Sequence, residues 1–219
     1  MWSDVSQSLT GSARAFAVNL PGHPAGNITC TSVDEYAESV LGLIQENGFR
    51  PAICGHSMGG AVALALAINH PEIASALILV GTGAKLNVLP EILVGLESQP
   101  LRVIERTITP LSFYKLDIDT ARRARGALSL SNPAVFLNDY LACRTFDVRE
   151  RLSSILQKTL IICGENDVMT PPRWSHYLRT NIPLSQGVFF IRESGHMVPL
   201  EKGELCGRLI QDFLVGLSR

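Results

Sequence analysis

With 219 residues, 46% of them apolar, the chain is long enough for one domain with a large buried core, with room for an inserted subdomain. A charged fraction of 18% and a net charge of −1 exclude the basic footprint of a nucleic-acid partner. The longest strongly apolar stretch, residues 61–68, falls far short of the roughly 20 residues that cross a bilayer. The N-terminal MWSDVSQS has neither a basic start nor an apolar signal core, so a soluble, cytoplasmic protein without a membrane partner is expected. Cys30, Cys54, Cys143, Cys163 and Cys206 form no CxxC pair. They point away from a zinc site or redox dithiol and read as buried, reduced thiols.

Residues 15–18 read as a buried strand, closed by the turn Leu20-Pro21-Gly22. A helix is predicted over 31–47. Ser32-Val33-Asp34-Glu35 has the form of a capping box, in which the serine meets an orphan N–H and the glutamate reaches back. Val33, Tyr36, Ala37, Val40, Leu41 and Ile44 share one face, and Gly48 ends the helix. A short strand over 51–54, a small-residue helix over Met58–Asn69 and a strand over Ala76–Val80 follow, the last ending at Gly81-Thr82-Gly83.

The character of the sequence then changes. Residues 84–146 hold short amphipathic helical patterns at 92–96, 101–108, 120–128 and 135–141, and no strand. Strand-like sequence returns at 159–163 and 188–191, followed by helices over 171–180 and Gly203–Leu217. Pro171 suits the first turn of its helix, where a missing N–H costs little. Strands alternating with helices predict an α/β fold, a mostly parallel sheet with helices on both faces. The continuous apolar runs fit strands buried on both sides. Residues 1–83 and 147–219 would form the core, and 84–146 a helical cap insert over one edge.

Gly55-His56-Ser57-Met58-Gly59 fits G-x-S-x-G between a predicted strand and a predicted helix, the context that a nucleophile elbow requires. Such a serine sits on a strained, tight turn, and its neighbours two residues away must be nearly free of side chain. Ser57 then lies close to a helix N-terminus, which favours negative charge. A nucleophilic serine needs a base. His23 reads as a turn residue, His70 and His176 as surface residues on helices, and His56 should point away from Ser57. His196 lies in the loop directly after the last strand. Loops at strand C-termini are where open α/β sheets place their sites. The base needs an acid that fixes its tautomer. Asp167, after the preceding strand, is the choice, with Glu165 second. Ser57, Asp167, His196 is the nucleophile–acid–base order expected with this type of elbow.

Asn19-Leu20-Pro21-Gly22-His23-Pro24, residues 54–60, Gly81-Thr82-Gly83-Ala84, residues 164–172 and Gly195-His196-Met197-Val198-Pro199-Leu200-Glu201 together resemble the α/β-hydrolase superfamily, of the capped serine esterase, lipase and C–C-hydrolase type. The resemblance implies a cofactor-independent serine hydrolase. In it Ser57 attacks an acyl carbonyl, His196 carries the proton, Asp167 orients His196, and the Met58 backbone N–H is an oxyanion donor. It implies a carboxylic ester as substrate, with a thioester or the C–C bond of a diketone open to the same residues. Within the insert Leu89, Leu93, Phe113, Phe136 and Tyr140, with Ile92, Tyr114 and Leu128, are candidates to line a pocket for a small apolar acyl or aryl group. Packing of the insert on itself explains any one of them equally well. Arg122, Arg123 and Arg125 are candidates for a carboxylate or phosphate, or a solvated helix face.

Two departures from the family stand out. Asn19 and Pro24 occupy places where it usually has Asp and Gly. The family's strand and His-Gly loop, which supply a second oxyanion donor and lie between the strands at 15–18 and 51–54, have no counterpart. Losing such a donor costs on the order of 10²–10³ in rate, and a missing interior strand leaves backbone groups unpaired. The expectation is that the sequence is an N-terminally shortened version of a longer chain, with a re-paired sheet as the other solution. The same absence favours an alternative function, a non-catalytic or weakly catalytic small-ligand-binding protein on this fold.

Overall fold

The computed structural model describes residues 1–9, 13–118, 121–122 and 132–217. At its centre β1 (Ala52–His56), β2 (Ala76–Val80), β3 (Lys158–Gly164) and β4 (Ser185–Ile191) form one parallel sheet in that spatial order. The helices are α1 (Ser3–Gln7), α2 (Val33–Glu46), α3 (Met58–Asn69), α4 (Pro90–Ser98), α5 (Pro100–Val103), α6 (Thr109–Ser112), α7 (Pro133–Thr145), α8 (Pro172–Asn181), α9 (Val198–Glu201) and α10 (Gly203–Leu217). The register sets His56 opposite Val80, and Val80 opposite Ile162. β1 and β2 therefore end at one level, and β3 and β4 run two residues further, with Gly164 opposite Ile191, so all four open their loops on the same side of the sheet, which is what gathers the site.

Period-two alternation divides the core. Leu77, Leu79 and Ile161 pack with residues of α2, α3 and α8, whereas Ile78, Val80, Leu160 and Ile162 pack with Val5 of α1 and with Cys206 and Ile210 of α10. β2 is wholly buried because both its faces are covered. α1, which the sequence pattern did not reveal, lies close against α10. A Cβ at Gly203 or Gly207 would come within 2.6 Å or 2.5 Å of Asp4 or Ser8. α2 starts as its capping signal predicts, with the Ser32 hydroxyl accepting from the Glu35 N–H. The Glu35 carboxylate reaches one residue further back, to the N–H and hydroxyl of Thr31.

Several expectations change. Residues 15–18 form no strand. They are exposed and without regular secondary structure, with the Phe16 ring tilted against that of Phe49, centroids 5.2 Å apart. No described strand lies along the outer edge of β1, so residues 15–18 do not pair there and do not re-pair the sheet. With that edge uncovered, Cys54 is exposed rather than buried, while Cys30, Cys163 and Cys206 are buried and all five thiols are free. β4 is an edge strand, with Phe189 and Phe190 exposed. Pro172, not Pro171, takes the first helical position of α8. The helix expected over 101–108 is α5 followed by a wider π turn, Ile104–Ile108, and α6. Pro110 cannot donate to a carbonyl one turn back, so the ladder widens, and the Thr109 hydroxyl bonds the Ile104 carbonyl. Of the helix expected at 120–128, only 121–122 belong to the described residues; Arg123, Arg125 and Leu128 lie outside them. Among the described residues no helix is long and apolar enough to cross a membrane.

The helices between β2 and β3 form an insert with its own apolar centre. Leu96, Ile104 and Ile108 pack with Phe136, Tyr140 and, from the loop after β3, Met169. A second tie is polar. Asp139 of α7 accepts from the Tyr36 hydroxyl of α2 at 2.5 Å and lies 3.0 Å from His23 Nε2. His23 is thus a half-buried partner of the insert rather than a free turn residue. Its hydrogen bond to Asp139, against the opposing effect of burial, raises its pKa. Tyr36, Tyr140, Cys30 and Cys143 around the pair are all pushed up, first by burial, and do not titrate near neutrality. Because the folded pKa lies above the unfolded value of about 6.5, the stabilisation is fully present below about pH 6.5 and lost as pH rises through the folded pKa. The Tm advantage of the wild type over His23→Gln is expected to shrink with rising pH in thermal melts. A pH-independent difference would sink this assignment.

Candidate active site

β1 ends at His56 and α3 begins at Met58, so Ser57 makes the whole turn. Its φ of 53° and ψ of −120° are unfavourable for a residue with a Cβ, a cost on the order of 1–3 kcal/mol. Hydrogen bonds on both sides hold it there. The Ser57 N–H donates to the Val80 carbonyl, and the Ser57 carbonyl accepts from the Thr82 hydroxyl and from the N–H groups of Gly60 and Ala61. Gly55 is indispensable to the close approach, because a Cβ there would lie 2.1 Å from the Gly59 carbonyl oxygen. On the helix side the tight position is Gly60, where a Cβ would meet Thr82 at 2.6 Å. A Cβ at Gly59 meets nothing within 4 Å, so the steric demand falls one residue later than the motif suggests.

The three residues chosen from the sequence come together. Ser57 Oγ lies 2.9 Å from His196 Nε2, and His196 Nδ1 lies 2.9 Å from Asp167 Oδ2. Asp167 and His196 are 2% and 4% exposed, which removes water as a competitor for these bonds. The turn after β3 aims the carboxylate. Oδ1 accepts from the N–H groups of Met169 and Thr170, and Oδ2 accepts from the Thr170 hydroxyl at 2.7 Å. Burial works against ionisation of Asp167, but hydrogen bonds from His196 and Thr170 outweigh it and hold the carboxyl below its ordinary pKa. An ionised Asp167 requires a proton on His196 Nδ1, which leaves Nε2 free to accept from the Ser57 hydroxyl. Glu165 is exposed and takes no part in this chain of contacts.

The backbone of the histidine loop is fixed as well. His56, turned away from Ser57, donates from Nε2 to the His196 carbonyl at 2.8 Å, and the two rings lie 4.8 Å apart. Burial and the neighbouring His196 push its pKa down to about 3, so it remains a neutral donor. Gly81, with φ of +50°, leaves room beside Asp167 and His196. Sequence reasoning missed Thr170 and the hydrogen bond from His56. The Asp-x-x-Thr spacing from Asp167 to Thr170 is a recognisable side-chain-to-backbone turn signal; for the His56 bond there is none.

The pocket candidates are dispersed. The backbone of Phe113 lies on the histidine loop, 2.8 Å from where a Gly195 Cβ would be, and its side chain is buried. Leu93 is buried, Phe136 stacks on Tyr140 within the insert's own cluster, and Leu89 is exposed. Met169, not singled out from the sequence, joins that cluster next to Asp167 and accepts from the Ser112 hydroxyl. Met58 opens α3, whose first backbone N–H groups have no partner within the helix. Among the described residues no three His, Cys, Asp or Glu side chains are grouped to hold a metal ion.

Comparison with known proteins gives concordant results. A model described as "Alpha/beta hydrolase family" matches residues 1–206. The pimeloyl-[acyl-carrier protein] methyl ester esterase of Nitrosomonas europaea is 27% identical over 207 residues, covering 87% of this chain and 81% of that protein. The 2-hydroxy-6-oxo-6-phenylhexa-2,4-dienoate hydrolase of Burkholderia cepacia is 31% identical over 224 residues, covering 92% and 78%. Among solved structures, that of a thermophilic esterase superposes with a TM-score of 0.85 at 32% identity, covering 97% of this chain and 85% of its own.

Proposed function

Given that the chain belongs to the alpha/beta hydrolase family, as an enzyme acting on ester bonds, we propose that it cleaves small carboxylic esters through an acyl-enzyme on Ser57. The observation that carries this reading is the unbroken relay from Ser57 Oγ to His196 Nε2 and from His196 Nδ1 to Asp167. Ser57 Oγ attacks the carbonyl carbon while its proton passes to His196 Nε2. Asp167 stabilises the imidazolium without taking the proton. The negative charge that develops on the carbonyl oxygen meets the Met58 N–H and the positive end of α3. The C–O bond breaks, and His196 returns the proton to the leaving alcohol. Water then repeats the sequence on the acyl-enzyme, which frees the acid and restores Ser57.

A small apolar acyl or aryl group suits the apolar composition of the insert, whose Phe113 adjoins the histidine loop and whose apolar cluster takes in Met169 of the aspartate loop. The thermophilic esterase supports the ester as substrate. The similarity to the 2-hydroxy-6-oxo-6-phenylhexa-2,4-dienoate hydrolase of Burkholderia cepacia brings such dienoates into the same substrate screen. The test is intact mass after incubation with a serine-directed fluorophosphonate, with Ser57→Ala as control. A single adduct that the control lacks is expected. No adduct on folded protein would overturn the reading and turn attention to ligand binding without turnover.

A further inference from the structure

We propose that Glu201 is a positioning residue that fixes the backbone of the His196 loop and couples it to the helical insert; this rests on the reading of His196 as the base. Glu201 closes α9, just after the histidine loop, and its carboxylate faces two segments distant in sequence. Oε2 accepts from the Gly195 N–H at 2.8 Å and from the Ser194 hydroxyl at 3.3 Å. Oε1 accepts from the Tyr114 N–H at 2.7 Å, where the chain leaves α6 of the insert. One side chain thus meets the Ser194–Gly195 peptide, one removed from His196, and the Phe113–Tyr114 peptide.

Its surroundings leave the loop little freedom. A Cβ at Gly195 would lie 2.6 Å from the Tyr114 nitrogen, and one at Gly164 would lie 2.0 Å from the Gly195 carbonyl oxygen. The loop is therefore pressed between the end of β3 and residues 113–114. The Met197 N–H donates to the Ser112 carbonyl, a second backbone tie to the insert. His56 grips the His196 carbonyl from the elbow, and Glu201 of α9 grips the Gly195 N–H. The two together hold the loop before and after the base, at the Ser194–Gly195 peptide and at the carbonyl of His196 itself. A carboxylate suits this task because it offers several acceptor sites to donors that converge from different segments. Movement of the insert at Tyr114 is transmitted through Glu201 to His196 without contact between Glu201 and the substrate.

The test compares wild type with Glu201→Gln, Glu201→Asp and Ser194→Ala. The readouts are fluorophosphonate labelling rate, burst titration of active sites, and kcat and KM on a p-nitrophenyl ester. Glu201→Gln puts an amide NH₂ where one of the N–H donors needs an acceptor. It is expected to lower kcat per titrated site and the labelling rate together by about tenfold to a hundredfold, with KM little changed, as a displaced base would. Glu201→Asp should fall between it and wild type. Ser194→Ala, which removes the longest of the three bonds, should change kcat by less than about threefold. A merely structural role predicts fewer titrated sites with unchanged kcat per site. That result overturns the proposal, as does failure of both Glu201 variants to fold. Wild type that takes label while Glu201→Gln labels at the same rate sinks this inference alone. Wild type that takes no label sinks the assignment of Ser57 and His196, and this inference with it.

Discussion

Replacing Asp167 with asparagine will lower kcat on an ester substrate by a factor on the order of 10³–10⁴, with the fold intact. The argument lies in how the carboxylate is held. The Met169 and Thr170 N–H groups both point at Oδ1. In the variant they can donate only to the amide oxygen there, so the amide NH₂ must take the place of Oδ2. That place faces His196 Nδ1 at 2.9 Å. Two N–H groups cannot share that contact, so Nδ1 gives up its proton and becomes the acceptor. The proton moves to Nε2, which then cannot accept from Ser57. Activation is lost although every side chain keeps its position. Thermal unfolding should place the variant close to wild type, while single-turnover acylation should be slowed by the full factor. A kcat within about tenfold of wild type would show that Asp167 does not set the tautomer.

Gly55→Ala is expected to destabilise the protein by on the order of 3 kcal/mol or more, or to prevent folding, whereas Gly59→Ala should be neutral or stabilising by up to about 1 kcal/mol. Both residues belong to the same short motif, and composition alone gives no reason to separate them. The added methyl at Gly55 would lie 2.1 Å from the Gly59 oxygen and 2.6 Å from the Gly60 nitrogen, backbone atoms at the start of α3 that cannot turn aside. At Gly59 the methyl points into open space within the first turn of a helix, where alanine is the better former. Urea unfolding of the two variants side by side measures the contrast. Equal losses would mean that the elbow does not owe its shape to the contact between Gly55 and α3.

The elements that declared themselves in the sequence carry their cause locally. α2 has its capping serine and a single apolar face, β2 has five apolar residues in a row, and α3 and α10 have the bounds read from pattern alone. The contacts among Ser57, His196 and Asp167 were legible because each residue sits in a loop at a strand end, the serine lies in a glycine-flanked motif, and the chain has only five histidines. What escaped depends on distant partners. Whether residues 15–18 are a strand is decided by what lies beside them, not by their own apolarity. The His56 bond to the His196 carbonyl spans 140 positions and the Glu201 bond to Tyr114 spans 87, and both end on main-chain atoms that carry no residue identity. Pattern reading finds side chains that resemble one another's partners; it is blind to a side chain that serves a peptide group.

The insert departs from the core at Lys85 and returns at Asp147, and these two residues face each other across an antiparallel bridge. Lys85 Nζ lies 3.2 Å from the Asp147 carboxylate, and the Val148 N–H donates to the Ala84 carbonyl at 2.8 Å. Ends that already meet impose no span on the chain between them. The entropy of closing such an excursion grows only logarithmically, by roughly 0.6 kcal/mol for each doubling of its length. The segment can therefore be lengthened, trimmed or exchanged at this neck with little strain passed to β2 or β3. The insert is then free to vary as a separate module while the contacts among Ser57, His196 and Asp167 stay unchanged, on the condition that each replacement again presents a carboxylate to His23 and Tyr36 and a peptide N–H to Glu201.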